Sequence, residues 1–206
     1  MLKIGSVCTK ISNYIAKELN FDDDKKSVIN YGIFAFIHMG ISIALVMVFG
    51  LIFNVTIEAL IVSFTMSLLR KSSGGSHSGS PERCAVIGTA SSIGIALICK
   101  YINISLNVAV LSGCIIFAWS YYIVNKLAPV DSLVKPIKSI EKRIRFRKIS
   151  INILNIYLII VISNILFYMN VGDFRLLNYS LCIYMGVLWQ GFFLTKSGHF
   201  VLGKLG

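Results

Sequence analysis

The two residues best suited to chemistry in this chain are His77 and Cys84, which lie close together in the sequence. A free thiol has a pKa of about 8.5 and is mostly protonated at neutral pH, but a neighbouring imidazole can take its proton. The thiolate is then a nucleophile, and the imidazolium can protonate a leaving amine. Cys84 also opens an apolar stretch, and a helix N-terminus there would further favour the thiolate. The spacing permits this pair but does not by itself bring the two side chains together.

Both residues belong to the polar segment 70–84, RKSSGGSHSGSPERC, which lies between two apolar stretches. Its glycines and serines permit a loop that approaches another chain closely. A zinc site needs about four ligands, whereas this segment offers one Cys and one His, and His38 and His199 lie far away in the sequence. We therefore predict neither a metal nor a cofactor. A serine peptidase using Ser78 or Ser80 lacks the expected order of glycine and serine around the nucleophile.

The elements that must position this segment are membrane helices. The chain has 206 residues, of which 56% are hydrophobic and 14% charged, with a mean hydropathy of +0.77. Stretches without charge that can cross a bilayer core of about 30 Å are 31–53, 104–124, 151–169 and 177–195. Two shorter stretches, 55–69 and 84–99, are either short spans or a re-entrant pair. We predict an all-α, polytopic membrane bundle of about six transmembrane helices, forming a single membrane domain over residues 1–206.

Basic residues orient this bundle, because Lys and Arg in short loops are retained in the cytoplasm. With six spans, the Lys and Arg residues other than Lys100 and Arg175 fall on one side. Both termini, the segment 70–84 and a basic loop over 125–150 are then cytoplasmic. A net charge of +11 on one membrane face is explained by topology and anionic lipid, so nucleic acid is not a predicted partner.

The N-terminal segment 1–30 lacks the uninterrupted apolar core of a secretory signal. Its apolar residues recur at helical spacing between Ile4 and Leu19, which predicts an amphipathic helix. Two placements remain open: along the inner membrane surface, or against the ends of the spans. The other cysteines, Cys8, Cys99, Cys114 and Cys182, fall on apolar sequence and are interpreted as small hydrophobic residues.

Several motifs together resemble the accessory gene regulator B family, bacterial membrane peptidases that process the precursor of a cyclic quorum-sensing peptide. The resemblance covers essentially the whole chain, including its length and span pattern. The matching motifs are Arg70, Gly74-Gly75-Ser76-His77, Cys84, Thr89, Ala128-Pro129-Val130-Asp131 and Lys135-Pro136-Ile137.

The resemblance implies that Cys84 is the nucleophile of a cysteine endopeptidase and His77 its base. It implies a propeptide substrate with an amphipathic leader and an acidic tail, and an acyl-enzyme thioester that an internal cysteine or serine opens to form a thiolactone or lactone. Arg70 matches a position linked to activity, with a role in substrate binding or charge stabilisation, and Gly75 matches a position important for backbone shape. The family also implies a homodimer in the bacterial cell membrane.

Two questions stay open at this level. The group that orients His77 is unassigned, with Glu82, Asp131 and Glu58 as candidates and Glu58 ranked last because six spans place it at the far end. The competing function is a small membrane transporter or channel component, in which Asn152, Asn155 and Asn164 would line a path. A helix of small residues after Cys84 is expected inside the bundle or at a subunit contact.

Overall fold

A computed structural model describes residues 4–75, 81–130, 139–198 and 200. Within these ranges the chain is helical apart from turns and one isolated β-bridge, which confirms the all-α prediction. The helices in chain order are α1 (Ile4–Glu18), α2 (Asp23–Ile52), α3 (Thr56–Ser73), α4 (Pro81–Tyr101), α5 (Leu106–Leu127), α6 (Ile140–Val171) and α7 (Phe174–Phe192).

Four of these helices are long and apolar enough to cross a membrane: α2, α4, α5 and α6. The helices α3 and α7 have 18 and 19 residues, about 27 and 29 Å at a rise of ~1.5 Å per residue, so their length suits a bilayer core. Both helices also carry buried polar residues, namely Thr65, Ser72 and Ser73 in α3 and Ser180 and Gln190 in α7. An all-α membrane bundle is therefore established, whereas the number of spans stays a prediction.

The chain divides into two compact units, Met1–Ala44 and Leu45–Gly206. In the first unit, the predicted amphipathic helix is present as α1, with Cys8, Ser12 and Ala16 buried along one side. Val7, Ile11 and Tyr14 form an exposed apolar strip on another side. Such a strip suits a helix at a membrane surface.

The second unit is built around α3 and α7, which pack against each other and against α4 and α6, while α5 packs on α6 and α7. The contact between α3 and α7 is close because Gly186 of α7 faces Thr65 and the Val62 carbonyl of α3. Tyr157 of α6 completes this region, since its hydroxyl donates to the Thr65 carbonyl at 3.3 Å. Small residues at helix contacts let backbones approach in lipid, where the hydrophobic effect does not drive association.

Helix α4 turns only part of its small-residue surface inward. Ser92 and Ala96 are buried, whereas a Cβ added at Gly88 or Gly94 would meet nothing within 4 Å. The expectation that this segment lies inside the bundle is therefore correct at Ser92 and Ala96, and its alternative, a subunit contact, stays a prediction.

One end of this unit, which we call the Cys84 end, is where α3, α5 and α7 finish and α4 and α6 begin. Among the described residues of the unit, the Lys and Arg side chains lie at this end except for Lys100 and Arg175. At the opposite end, Lys100 donates to the Asn54 carbonyl. There, hydrogen bonds from the Arg175 side chain also hold the pKa of Asp173 below its usual value.

The basic segment 125–150 is not one continuous loop. Helix α5 runs to Leu127 and α6 begins at Ile140, so the charged residues after Ser139 stand on a helix. From Ile140 to Ile149 the residues of α6 are exposed apart from the partly buried Phe146, and burial in the bundle begins at Ser150. Because α6 has 32 residues, about 48 Å at ~1.5 Å per residue, it is longer than a bilayer core and projects beyond it.

Candidate active site at the Cys84 end

Cys84 lies in the first turn of α4 and is partly buried. Pro81 occupies the first helical position, where its missing N–H costs no hydrogen bond. The sulfur therefore lies near the positive end of the helix dipole. Among the cysteines, Cys8, Cys99 and Cys182 are buried and Cys114 is exposed halfway along α5. Cys84 combines access with a position at a helix N-terminus.

His77 lies outside the described residues, as does Asp131, so contact between His77 and Cys84 stays a prediction. Arg70 is partly buried in the last turn of α3. Gly75 is buried and is the last described residue before the segment that contains His77. The structure thus describes both ends of the predicted catalytic segment, where the chain leaves α3 and where it enters α4.

The chain leaves α3 through a tightly held backbone. Gly74 has φ +73 and pairs with Val130 in a parallel bridge, and the Val130 N–H donates to the Ser73 carbonyl at 3.0 Å. A Cβ on Gly74 would overlap the Val130 carbonyl oxygen. Gly75 follows with φ +130. Both conformations favour glycine, so the Gly-Gly pair is required by backbone geometry as well as by the close approach of Val130.

Gln190 of α7 holds the same backbone from the other side. Its side chain is 1% exposed, and its Nε2 donates to the Gly74 carbonyl at 2.9 Å and to the Ser73 hydroxyl at 3.3 Å. This amide is buried among apolar residues, where a polar group without partners would cost about 2–7 kcal/mol. The two hydrogen bonds therefore tie α7 firmly to the end of α3.

Helix α6 supplies further ties to the same region. The Ser150 hydroxyl donates to the buried Ser72 hydroxyl at 2.9 Å. The Arg147 Nε donates to the Ala128 carbonyl at 3.0 Å, which holds the residues that follow α5 beside the basic start of α6. The end of α3 is therefore held by contacts from α6, from α7 and from the residues that follow α5.

These contacts explain why two distant motifs occur in one sequence. Gly74-Gly75 and Ala128-Pro129-Val130 are separate motifs in the sequence, and the structure brings them together through the bridge. Sequence reasoning missed Gln190. The signal available was an amide in an otherwise apolar stretch, since polar residues within membrane helices face the bundle interior and are often functional.

Two of the three carboxylates that were candidates to orient His77 are described, and they lie at opposite ends of the unit. Glu58 lies in the first turn of α3, at the end opposite to Arg70. Glu82 is exposed in the first turn of α4, two positions before Cys84. Of the two described candidates, only Glu82 is at the Cys84 end.

Comparison with known proteins shows the family of this chain. Residues 8–194 match the family described as Accessory gene regulator B. The chain belongs to this family. It is 43% identical over 202 residues to a putative AgrB-like protein of Clostridium perfringens (strain SM101 / Type A), covering 97% of this chain and 94% of that protein. It is 41% identical to putative AgrB-like protein 2 of Clostridium perfringens (strain 13 / Type A), with the same coverage. No solved structure gives a significant match.

Membership of the AgrB family associates the chain with the processing of quorum-sensing propeptides in a membrane. The competing transporter function named three asparagines of α6, of which Asn164 is partly buried. Asn152 and Asn155 are exposed on α6, and Asn155 accepts a hydrogen bond from the Tyr121 hydroxyl. The described part of α6 therefore does not direct these two side chains into a path through the bundle.

Proposed function

We propose that this AgrB family member is a membrane cysteine endopeptidase with Cys84 as its nucleophile and His77 as its general base. The observation that carries the proposal is the position of Cys84. Its partly accessible thiol lies in the first turn of α4. At this end of the unit the Gly-Gly pair meets the residues that follow α5 and Gln190 of α7. A helix N-terminus favours the thiolate that such chemistry requires.

The reaction is an acyl transfer from a short autoinducer propeptide, cut in its C-terminal part. The Cys84 thiolate attacks the scissile carbonyl carbon, and the C–N bond breaks as His77 protonates the leaving amine. The resulting thioester retains acyl-transfer potential. A cysteine thiol or serine hydroxyl of the bound peptide then attacks the same carbonyl, gives its proton to His77 and releases Cys84, which closes a thiolactone or lactone.

Two further residues have proposed roles at this site. Arg70, at the end of α3, binds an acidic group of the substrate or stabilises the negative charge that develops on the carbonyl oxygen. Gly75 gives the chain its backbone shape where it enters the His77 segment, which its φ of +130 supports.

The proposed partners are the propeptide, membrane lipid and a second copy of this chain. An acidic tail on the propeptide suits the exposed basic turns at the start of α6, and an amphipathic leader suits the membrane surface. We place the protein in the bacterial cell membrane with both termini and the Cys84 end in the cytoplasm, in accordance with the distribution of Lys and Arg.

The test is cleavage of the propeptide by purified protein in lipid vesicles, with mass spectrometry to detect a peptide adduct. Wild type is compared with Cys84→Ala, His77→Ala and the control Cys114→Ala, which removes a thiol exposed along α5. We expect an adduct on Cys84 in the wild type, loss of cleavage in the first two variants and normal cleavage in the control. Unchanged cleavage in Cys84→Ala would refute the mechanism and favour the alternative function, a small membrane transporter or channel component.

A further inference from the structure

Gln190 makes hydrogen bonds that packing of α7 alone does not require. A buried amide on a membrane helix can be satisfied by any neighbouring helix, yet this one is directed at the backbone just beyond α3, at the Gly74 carbonyl, and at the hydroxyl of the preceding Ser73. The Gly74 carbonyl lies just beyond the last residue of α3, where carbonyls need partners outside the helix, and the Ser73 hydroxyl lies beside it. The amide therefore bonds the backbone at the point where the chain leaves α3.

The segment that it holds has little conformational preference of its own. Gly74 and Gly75 both have positive φ, and glycine samples many backbone conformations at similar energy. A defined path out of α3 therefore depends on contacts from elsewhere in the fold. The structure supplies two, the bridge to Val130 and the Gln190 amide, whose Nε2 lies 3.5 Å from the position of a Cβ on Gly75.

We propose that Gln190 is a positioning residue of the active site, which holds the Ser73–Gly74 backbone and so sets the direction in which the catalytic segment leaves α3. This inference rests on the proposed cysteine peptidase function. Gln190 takes no part in bond making. Its effect reaches the reaction through the backbone, because a shift of about 1 Å in a reacting group can lower a rate by about 100-fold.

The decisive variant is Gln190→Met, which keeps the length of the side chain and removes both donors. We expect kcat for propeptide cleavage to fall by about 10- to 100-fold with KM within about twofold of wild type, since substrate contacts are retained. The matched control is Ser180→Ala, which removes another buried polar group of α7 whose hydroxyl bonds to the Leu176 carbonyl of its own helix. This control should retain wild-type kcat.

A second readout does not depend on catalysis. The Val130 N–H donates to the Ser73 carbonyl, so loosening of this backbone should speed hydrogen exchange in the peptide that contains Val130. We expect about tenfold faster exchange in Gln190→Met, as for a loss of ~1.4 kcal/mol of local stability, and wild-type exchange in Ser180→Ala. If Gln190→Met does not fold, Gln190→Leu, which also lacks both donors, is measured in its place.

The two readouts separate the possible failures. Faster exchange with normal kcat, or reduced kcat with normal exchange, would overturn the positioning role. Activity retained by Cys84→Ala would instead refute the peptidase mechanism and with it a positioning role in that mechanism. In that case the exchange measurement still decides whether Gln190 holds the Ser73–Gly74 backbone.

Discussion

Gly74 and Gly172 have nearly equal φ values but differ in ψ, which is −150 at Gly74 and +12 at Gly172, and in their surroundings. Their φ values are +73 and +74, but a Cβ on Gly74 would overlap the Val130 carbonyl, whereas a Cβ on Gly172 would meet nothing within 4 Å. Gly74 therefore combines two constraints that Gly172 lacks: a φ, ψ pair essentially restricted to glycine and a close contact with Val130. At the residue scale, the close contact is what links the two motifs of the candidate site.

Gly74→Ala and Gly172→Ala test this difference directly. Gly172→Ala should cost about 1–2 kcal/mol for placing a side chain in the left-handed region. Gly74→Ala should cost more, because its φ and ψ are essentially restricted to glycine and because the bridge to Val130 must separate. We expect loss of propeptide cleavage in Gly74→Ala alone and a larger decrease of Tm for it than for Gly172→Ala. Equal decreases of Tm with activity intact in both would show that the Val130 contact is not tight.

At the element scale, the contact between α3 and α7 decides the arrangement of the bundle. It forms where Gly186 faces Thr65, and it carries the Gln190 contact to the end of α3. A Cβ on Gly186 would lie 3.0 Å from the Thr65 side chain, closer than carbon atoms normally pack. The separation of the two helices is therefore limited by the absence of a side chain at this position.

Gly186→Ala and Gly88→Ala make the second comparison. Alanine in a helix interior is favoured over glycine by about 1 kcal/mol, so Gly88→Ala, which meets nothing within 4 Å, should raise thermal stability slightly. Gly186→Ala should be less stable than Gly88→Ala by about 1–3 kcal/mol because of overpacking. Thermal unfolding in detergent measures both, and Thr65→Ser should restore part of the loss because it removes a methyl group at the contact. Equal stabilities would contradict the close approach of α3 and α7.

The start of α6 is a second element with a proposed role. Lys142 and Arg145 are exposed on its basic turns, where they can attract an acidic peptide tail. We expect Lys142→Gln combined with Arg145→Gln to raise KM several-fold at low salt, with little change in kcat. The difference from wild type should shrink as salt screens these charges.

The control for that experiment is Arg175→Gln, which removes one positive charge at the opposite end of the bundle. Its KM should remain at the wild-type value. An equal rise of KM in the control would mean that net charge, rather than the basic start of α6, governs substrate affinity.

At the scale of the whole molecule, charge asymmetry is the dominant feature of the Leu45–Gly206 unit. Its described basic residues gather at the Cys84 end, with Lys100 and Arg175 at the other. Basic residues are retained in the cytoplasm during insertion, so one topology is strongly favoured. This distribution supports the proposed topology, in which the candidate site faces the cytoplasm.

Labelling of single cysteines tests this topology. In a chain without native cysteines, Ser105→Cys lies between α4 and α5 and Glu141→Cys lies at the start of α6, both at exposed positions. A membrane-impermeant maleimide added to intact cells should label position 105, and position 141 only after the membrane is opened. The reverse pattern would place the Cys84 end outside the cell.

The sequence by itself determined the elements of this protein and its membrane setting. Apolar stretches and the periodicity of the N-terminal segment correspond to helices α1 to α7, because in lipid each backbone polar group is satisfied within its own helix. Side-chain chemistry also singled out Cys84. The structure of the 125–150 segment was predicted less well. Exposed charged residues occur in both helices and loops, so their sequence pattern does not distinguish the two.

Only the tertiary structure decided which residues hold the candidate site together. Gln190 lies more than a hundred positions from Gly74 in the sequence, and the bridge from Gly74 to Val130 joins segments on either side of two helices. Local sequence patterns report the period of a helix and its buried face, but they carry no information about which distant backbone a buried amide will meet. That pairing depends on how α3, α6 and α7 pack. The family resemblance identified the Gly74-Gly75 and Ala128-Pro129-Val130 motifs, and only the fold showed that they are in contact.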